Sequence, residues 1–94
     1  EVHSGEFCRI VNEGKSINDE LKKISNVSAL ADSLNLEVHS GHGITFDSVV
    51  HLSSIAQISE FNIGHFIISE SVFLGLKNTI EEFKLLIEKG RKIL

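Results

Sequence analysis

Two loops and one carboxylate in this chain have the residue types and spacing for acid–base chemistry on a phosphorylated ligand. The first loop, Ser40-Gly41-His42-Gly43, sets a histidine between two glycines. Glycines there let the backbone approach a ligand closely and leave His42 exposed. The second, Asn62-Ile63-Gly64-His65, runs directly into a helical pattern. The free N–H groups and dipole of a helix start suit a phosphate, and if these loops follow the last two strands of a barrel, Gly43, Gly64 and His65 are where it would rest. Glu1 is the carboxylate within reach of His42. Such a pair can divide acid, base and charge-stabilising work, because burial and neighbours move both groups toward neutrality. Gly-His-Gly is too short to be specific alone, and the third glycine of a dinucleotide fingerprint is absent. His39 and His42, with His3 and His65, leave a metal site open as a second reading. His51 falls inside a helical pattern and reads as a surface or packing residue.

The elements that must position these groups follow from an internal repeat. Glu-Val-His-Ser-Gly occupies residues 1–5 and again 37–41, and Glu60-Phe61-Asn62-Ile63-Gly64 has the same grammar. Each is a short alternating run stopped by glycine, as a strand entering a tight turn would be. Period-two geometry puts Glu1 with His3, Glu37 with His39, and Glu60 with Asn62 on one face. Val2, Val38, Phe61 and Ile63 face the other way. Glu37 and Glu60 lie before their loops and read as hydrogen-bond or ion-pair partners.

Helical patterns fill the intervals. Ser16 is a plausible N-cap for a helix carrying Ile17, Leu21, Ile24, Leu30 and Leu34 up to Asn35. Asp47 can cap a second, with Val50 and Ile55. A short segment from Gly64 to Phe73 or Gly75 precedes a longer one with Leu76, Ile80, Phe83 and Ile87 on one stripe. The charged run from Glu81 to Lys92 reads as a solvated face. Strand, helix, strand, helix, strand, helix means parallel strands with crossover helices.

Three such strands leave both sheet edges open, and their polar face needs a purpose. In a closed (β/α) barrel that face points inward and its strand ends line the active site, with phosphate held by the loops after the last two strands. The fold expected is therefore α/β, a TIM (β/α)8 barrel of which residues 1–94 supply about the last three strand–helix units. An open Rossmann-like sheet is the competitor. The chain does not begin with Met, which fits a piece of a longer protein.

Bulk properties bound the function. Nine Lys plus Arg against thirteen Asp plus Glu give a net charge of -4, which argues against a general grip on nucleic acid or an anionic membrane. Apolar runs of a few residues cannot span a bilayer. Cys8, the single cysteine, cannot form an internal disulfide, which fits a reducing cytoplasm; a plain helical or loop role suits it better than a reactive one.

Taken together, Glu-Val-His-Ser-Gly at 1–5, Leu-Glu-Val-His-Ser-Gly-His-Gly at 36–43, Glu-Phe-Asn-Ile-Gly-His at 60–65 and the Ile-Ile-Ser-Glu-Ser-Val-Phe-Leu-Gly-Leu that follows resemble the pyridoxine 5'-phosphate synthase family. The resemblance runs through the whole chain and corresponds to the C-terminal two-fifths or so of that family. His39, Phe46 and Asp47 depart from its usual residues and leave the motif positions intact. It implies a cytoplasmic barrel enzyme assembled as a homo-octamer. The reaction implied condenses 1-deoxy-D-xylulose 5-phosphate with 3-amino-2-oxopropyl phosphate to pyridoxine 5'-phosphate, phosphate and water. No metal or organic cofactor is implied. By position, His42 resembles the proton donor, Glu1 the transition-state stabiliser, and Gly43, Gly64 and His65 the binding site for the amino-oxopropyl phosphate. The general bases would lie in N-terminal strands outside this chain, so the 94 residues alone are expected to be inactive. Two alternatives stay open: a metal-dependent barrel hydrolase using the strand-end histidines, and a non-catalytic phosphate-binding or interaction module.

Overall fold

Alternation in the repeats produces short strands, and their apolar positions decide which face carries the helices. In the computed structural model, which describes residues 1–93, the strands are β1 (Val2–His3), β2 (Val38–Gly41) and β3 (Ile58–Asn62). They form one parallel sheet in the order β1-β2-β3. The helices are α1 (Gly5–Asn12), α2 (Asn18–Ser33), α3 (Phe46–Ser53), α4 (His65–Leu74) and α5 (Leu76–Arg91). Sequence neighbours are sheet neighbours throughout, an arrangement compatible with part of a TIM barrel.

Val38 and Ile58 bury their side chains with Phe7, Cys8, Ile24, Ile44, Val49, Leu52, Ile55 and Phe83. Beneath the loops an aromatic cluster ties three helices together. Phe46 meets Phe66 edge-on at 4.9 Å and Phe83 at 4.7 Å between ring centroids. Such pairs contribute on the order of 1 kcal/mol beyond the area they bury.

Several expectations need correction. Residues 5–12 form a helix of their own, α1, which the repeat's terminal glycine disguised as a turn. Ser16 caps nothing: α2 begins after Ile17, without a side-chain cap. Its buried residues are Ile24 and Ser28, while Leu30 and Leu34 are more than half exposed. Leu30 is six residues beyond Ile24, which leaves it about a third of a turn off the buried face. Thr45, rather than Asp47, caps α3, in a reciprocal box with Ser48. Asp47 sits in the first turn, and Ile55 lies beyond the helix end. The third strand starts at Ile58, two residues earlier than the repeat suggested.

The C-terminal charged run is also not wholly solvated. Glu81, Glu82, Lys84, Glu88 and Lys89 are exposed, but Arg91 folds back on the sheet. Its guanidinium donates to the carbonyls of Ser53 at 2.9 Å, Ile55 at 2.7 Å and Ile58. The same group lies over the Phe61 ring at 5.8 Å. Carbonyls of the α3–β3 connection that would otherwise need water are thereby satisfied by a charged donor.

Gly90 allows that approach. A Cβ there would lie 2.5 Å from the Ser53 Cβ and press on the Val50 carbonyl oxygen. Helix propensity favours alanine by about 1 kcal/mol, but overpacking against backbone costs about 1–3 kcal/mol. The second effect wins because the carbonyl cannot rotate away. Gly90→Ala is therefore expected to lower the unfolding midpoint of the full-length protein, despite adding a better helix former; a raised midpoint would show that α3 and α5 separate freely.

Candidate functional site

Register places the polar side chains. Val2 pairs with Ser40 and Ser40 with Phe61; His3 pairs with Gly41 and Gly41 with Asn62; His39 pairs with Glu60. The face away from the helices therefore carries Glu1, His3, His39, Glu60 and Asn62, as period-two alternation requires. Glu1 precedes β1 rather than standing at its end, and its carboxylate reaches along the sheet to the level of Gly41.

The Gly-His-Gly loop is fixed from below. The Ser4 N–H donates to the Gly41 carbonyl at 2.7 Å, and the Ser4 hydroxyl donates to the same carbonyl at 2.6 Å and to that of His42 at 3.0 Å. His42 itself has φ 81°, a left-handed conformation that a residue with a Cβ adopts at a cost of about 1–2 kcal/mol. Gly43 follows with φ 74°, and a Cβ there would lie 3.3 Å from the Cys8 Cβ. Cys8 is buried under the loop, and burial pushes its thiol pKa up. A group held as the thiol is a poor nucleophile, in keeping with a packing role.

His42 is held on two sides. Its ring stacks on that of His3 at 4.1 Å with 20° between planes, and its Nδ1 lies 3.3 Å from Glu1 Oε1. Engaging Nδ1 leaves Nε2 as the nitrogen available to a ligand. The His3 Nδ1 accepts the Gly5 N–H at 3.2 Å, which orients that ring. Asn62 Nδ2 donates to Glu1 Oε2 at 2.6 Å. The Asn62 amide, followed by the charge of His42, holds the Glu1 carboxyl below the usual carboxylate range against the opposing effect of burial. Glu1 is thus an anion throughout the neutral range, and its neighbours move it away from neutrality rather than toward it as the sequence suggested, because the Asn62 hydrogen bond outweighs burial.

Between these groups and the start of α4 lies a cavity of about 370 Å³ lined by Glu1, His42, Gly43, Thr45, Asn62, Gly64, His65 and Phe66, among others. Gly64 is the N-cap of α4 and its carbonyl accepts the Ile68 N–H at 3.2 Å. The N–H groups of the first turn, from His65 to Ile67, therefore have no partner within the helix. The site combines a fixed carboxylate, an imidazole with one free nitrogen, and amide donors suited to an anion.

The structure brings all five residues singled out from sequence, Glu1, His42, Gly43, Gly64 and His65, around this one cavity. Two histidines of the metal reading stand elsewhere. His39 lies outside the cavity lining, between Glu37 Oε1 at 3.2 Å and Glu60 Oε2 at 3.1 Å. His3 meets His42 ring face to ring face. Among the described residues, no three His, Cys, Asp or Glu side chains form a group that could hold a metal ion. His51 packs against Phe7, 6.2 Å between centroids. Sequence reasoning left out Asn62, Thr45 and Phe66 as cavity residues. Only Asn62 had a signal, its place on the polar face beside Glu60.

Residues 1–89 match the model of the family described as "Pyridoxal phosphate biosynthesis protein PdxJ". Among curated proteins, the chain is 41% identical over 91 residues to the pyridoxine 5'-phosphate synthase of Zymomonas mobilis, covering 97% of the chain and 35% of that protein. It is 42% identical over 94 residues to that of Cereibacter sphaeroides, covering 98% and 37%. With the synthase of Pelagibacter ubique it shares 46% identity over 89 residues, covering 95% and 37%. The chain thus spans little more than a third of the length of these relatives.

Proposed function

Because this chain belongs to the pyridoxal phosphate biosynthesis protein PdxJ family, we propose that residues 1–94 are the C-terminal part of a (β/α)8-barrel pyridoxine 5'-phosphate synthase. The enzyme condenses 1-deoxy-D-xylulose 5-phosphate with 3-amino-2-oxopropyl phosphate, giving pyridoxine 5'-phosphate, phosphate and water. The sequential parallel strand order is the one that consecutive barrel units have, and because half of a doubly wound sheet shares it, the choice of a barrel rests on the family. The observation that carries the reading is the single cavity shared by Glu1, His42, Gly43, Gly64 and His65.

Each residue has work suited to its position. Gly43 gives a phosphate access to backbone, and Gly64 and His65 offer it the start of α4. His42, with Nδ1 turned to Glu1, donates a proton from Nε2 to a departing oxygen. Joining an amine to a ketone passes through cationic nitrogen species, and the imidazole that carries protons on both nitrogens before it donates is itself a cation, neutral once the proton has left. The fixed anion of Glu1 stabilises positive charge at either place without having to reorient.

The whole protein would be a cytoplasmic homo-octamer. Exposed Ile68, Val72, Phe73 and Leu76 on α4 and α5 are apolar surface that missing barrel units or neighbouring copies would cover. No helix of the described residues is long and apolar enough to cross a membrane. Alone, the 94 residues would be inactive, because proton donation needs a base and a positioned substrate opposite His42.

The test is product formation by the full-length protein given both substrates and no added metal. Pyridoxine 5'-phosphate and phosphate are expected in equal amounts. Absence of product, or an activity abolished by chelators, would sink the synthase reading and favour the metal-dependent hydrolase.

A further inference from the structure

The Glu1 carboxylate does not stay over its own strand. It crosses β2 at Gly41, where an added Cβ would lie 2.5 Å from Oε2 and 2.6 Å from the carboxyl carbon. Gly41 therefore keeps a lane open across the sheet. At the far side of that lane stands Asn62, in direct register with Gly41, with its amide 2.6 Å from Glu1 Oε2. The other carboxylate oxygen, Oε1, faces His42 Nδ1 at 3.3 Å. One oxygen is taken by β3 and the other by the Gly-His-Gly loop.

We propose that Asn62 is a positioning residue for the reaction: its amide pins one oxygen of Glu1 so that the other is presented to His42. The proposal rests on the synthase reading above. The terminal torsion of a glutamate is broad and roughly two-fold, and an unpinned carboxylate would present either oxygen, or neither, to the imidazole. A neutral amide suits the task because it donates to the anion and does not titrate alongside it. Donation also favours the ionised form, which agrees with the direction in which Glu1 is held.

The experiment uses the full-length protein carrying Asn62→Leu, with ¹³C-labelled glutamate and steady-state kinetics. Asn62 is exposed, so the variant is expected to fold, and an unchanged unfolding midpoint checks this. kcat is expected to fall by about 10- to 100-fold, the cost of a small misplacement, with KM for either substrate little moved. The Glu1 carboxyl resonance, identified by its loss in Glu1→Gln, should titrate at higher pH. The double variant Glu1→Gln/Asn62→Leu should be no slower than Glu1→Gln alone, since the two residues act as one unit. Retained kcat, an unmoved Glu1 titration in active protein, or a raised KM with kcat intact would each overturn the role of Asn62 alone. If the unaltered protein makes no pyridoxine 5'-phosphate, the synthase reading falls and the catalytic role with it; the carboxyl titration still reads the Asn62–Glu1 contact.

Discussion

Replacing His42 by alanine in the full-length protein is expected to lower kcat by about 10²- to 10⁴-fold, the usual worth of a positioned general acid, with little change in KM. The split follows from the division of labour in the cavity. In the proposed reaction, substrate phosphate would rest on Gly43, Gly64 and His65, whereas His42 would act only when a bond to oxygen breaks. Backbone strain supplies a control. Because His42 sits at φ 81°, His42→Gly relieves a left-handed residue and should raise the unfolding midpoint while lowering kcat as far as alanine does. His42→Asn, which tolerates that conformation better than most side chains, should be as inactive as alanine. A kcat within a few-fold of the unaltered protein in all three variants would remove His42 from the chemistry.

Glu1→Gln is expected to cost about 10²- to 10³-fold in kcat, as loss of a fixed electrostatic partner does. Glutamine keeps the shape and can still accept the Asn62 N–H, so the change isolates charge. The pH dependence gives a second check. Glu1 has a lowered pKa in the folded protein, so its contribution persists as pH falls through the usual carboxylate range. It is lost at lower pH than for an ordinary glutamate, as the carboxylate takes up a proton. In Asn62→Leu that loss should move to higher pH, and in Glu1→Gln it should vanish from the kcat profile. A profile unchanged in Glu1→Gln would assign the acid limb to another group.

Much of this site was legible because its residues sit in short repeated words. Glu-Val-His-Ser-Gly predicts a strand, a polar face and a turn by alternation alone, and the second copy lands on β2 as expected. The third was harder for a physical reason. Val38 pairs with Ile58 but His39 pairs with Glu60, so Ser59 is an extra residue in the ladder. A bulge of this kind breaks alternation, letting Ile58 turn to the helices while Glu60 faces away. Period-two reading therefore started the strand at Glu60. The helix stripe failed differently. Leu30 and Leu34 are apolar, and sequence alone does not distinguish a buried leucine from one awaiting cover elsewhere. Arg91 was illegible because its partners are main-chain carbonyls, which have no signature in side-chain types. Asn62 stood on the correct face, but its hold on Glu1 depends on the empty space over Gly41, a property of three strands together.

The hydroxyl of Ser4, fully buried and tied to the carbonyls of Gly41 and His42, bears on timing as well as shape. Buried, hydrogen-bonded amides open rarely, and the Ser4 N–H should be among the slower to exchange with solvent. The loop bearing the proposed acid is thus riveted to the strand beside it and ill suited to serve as a shutter. In the proposed reaction, the motion that admits substrate and releases product would happen around an imidazole that waits in place.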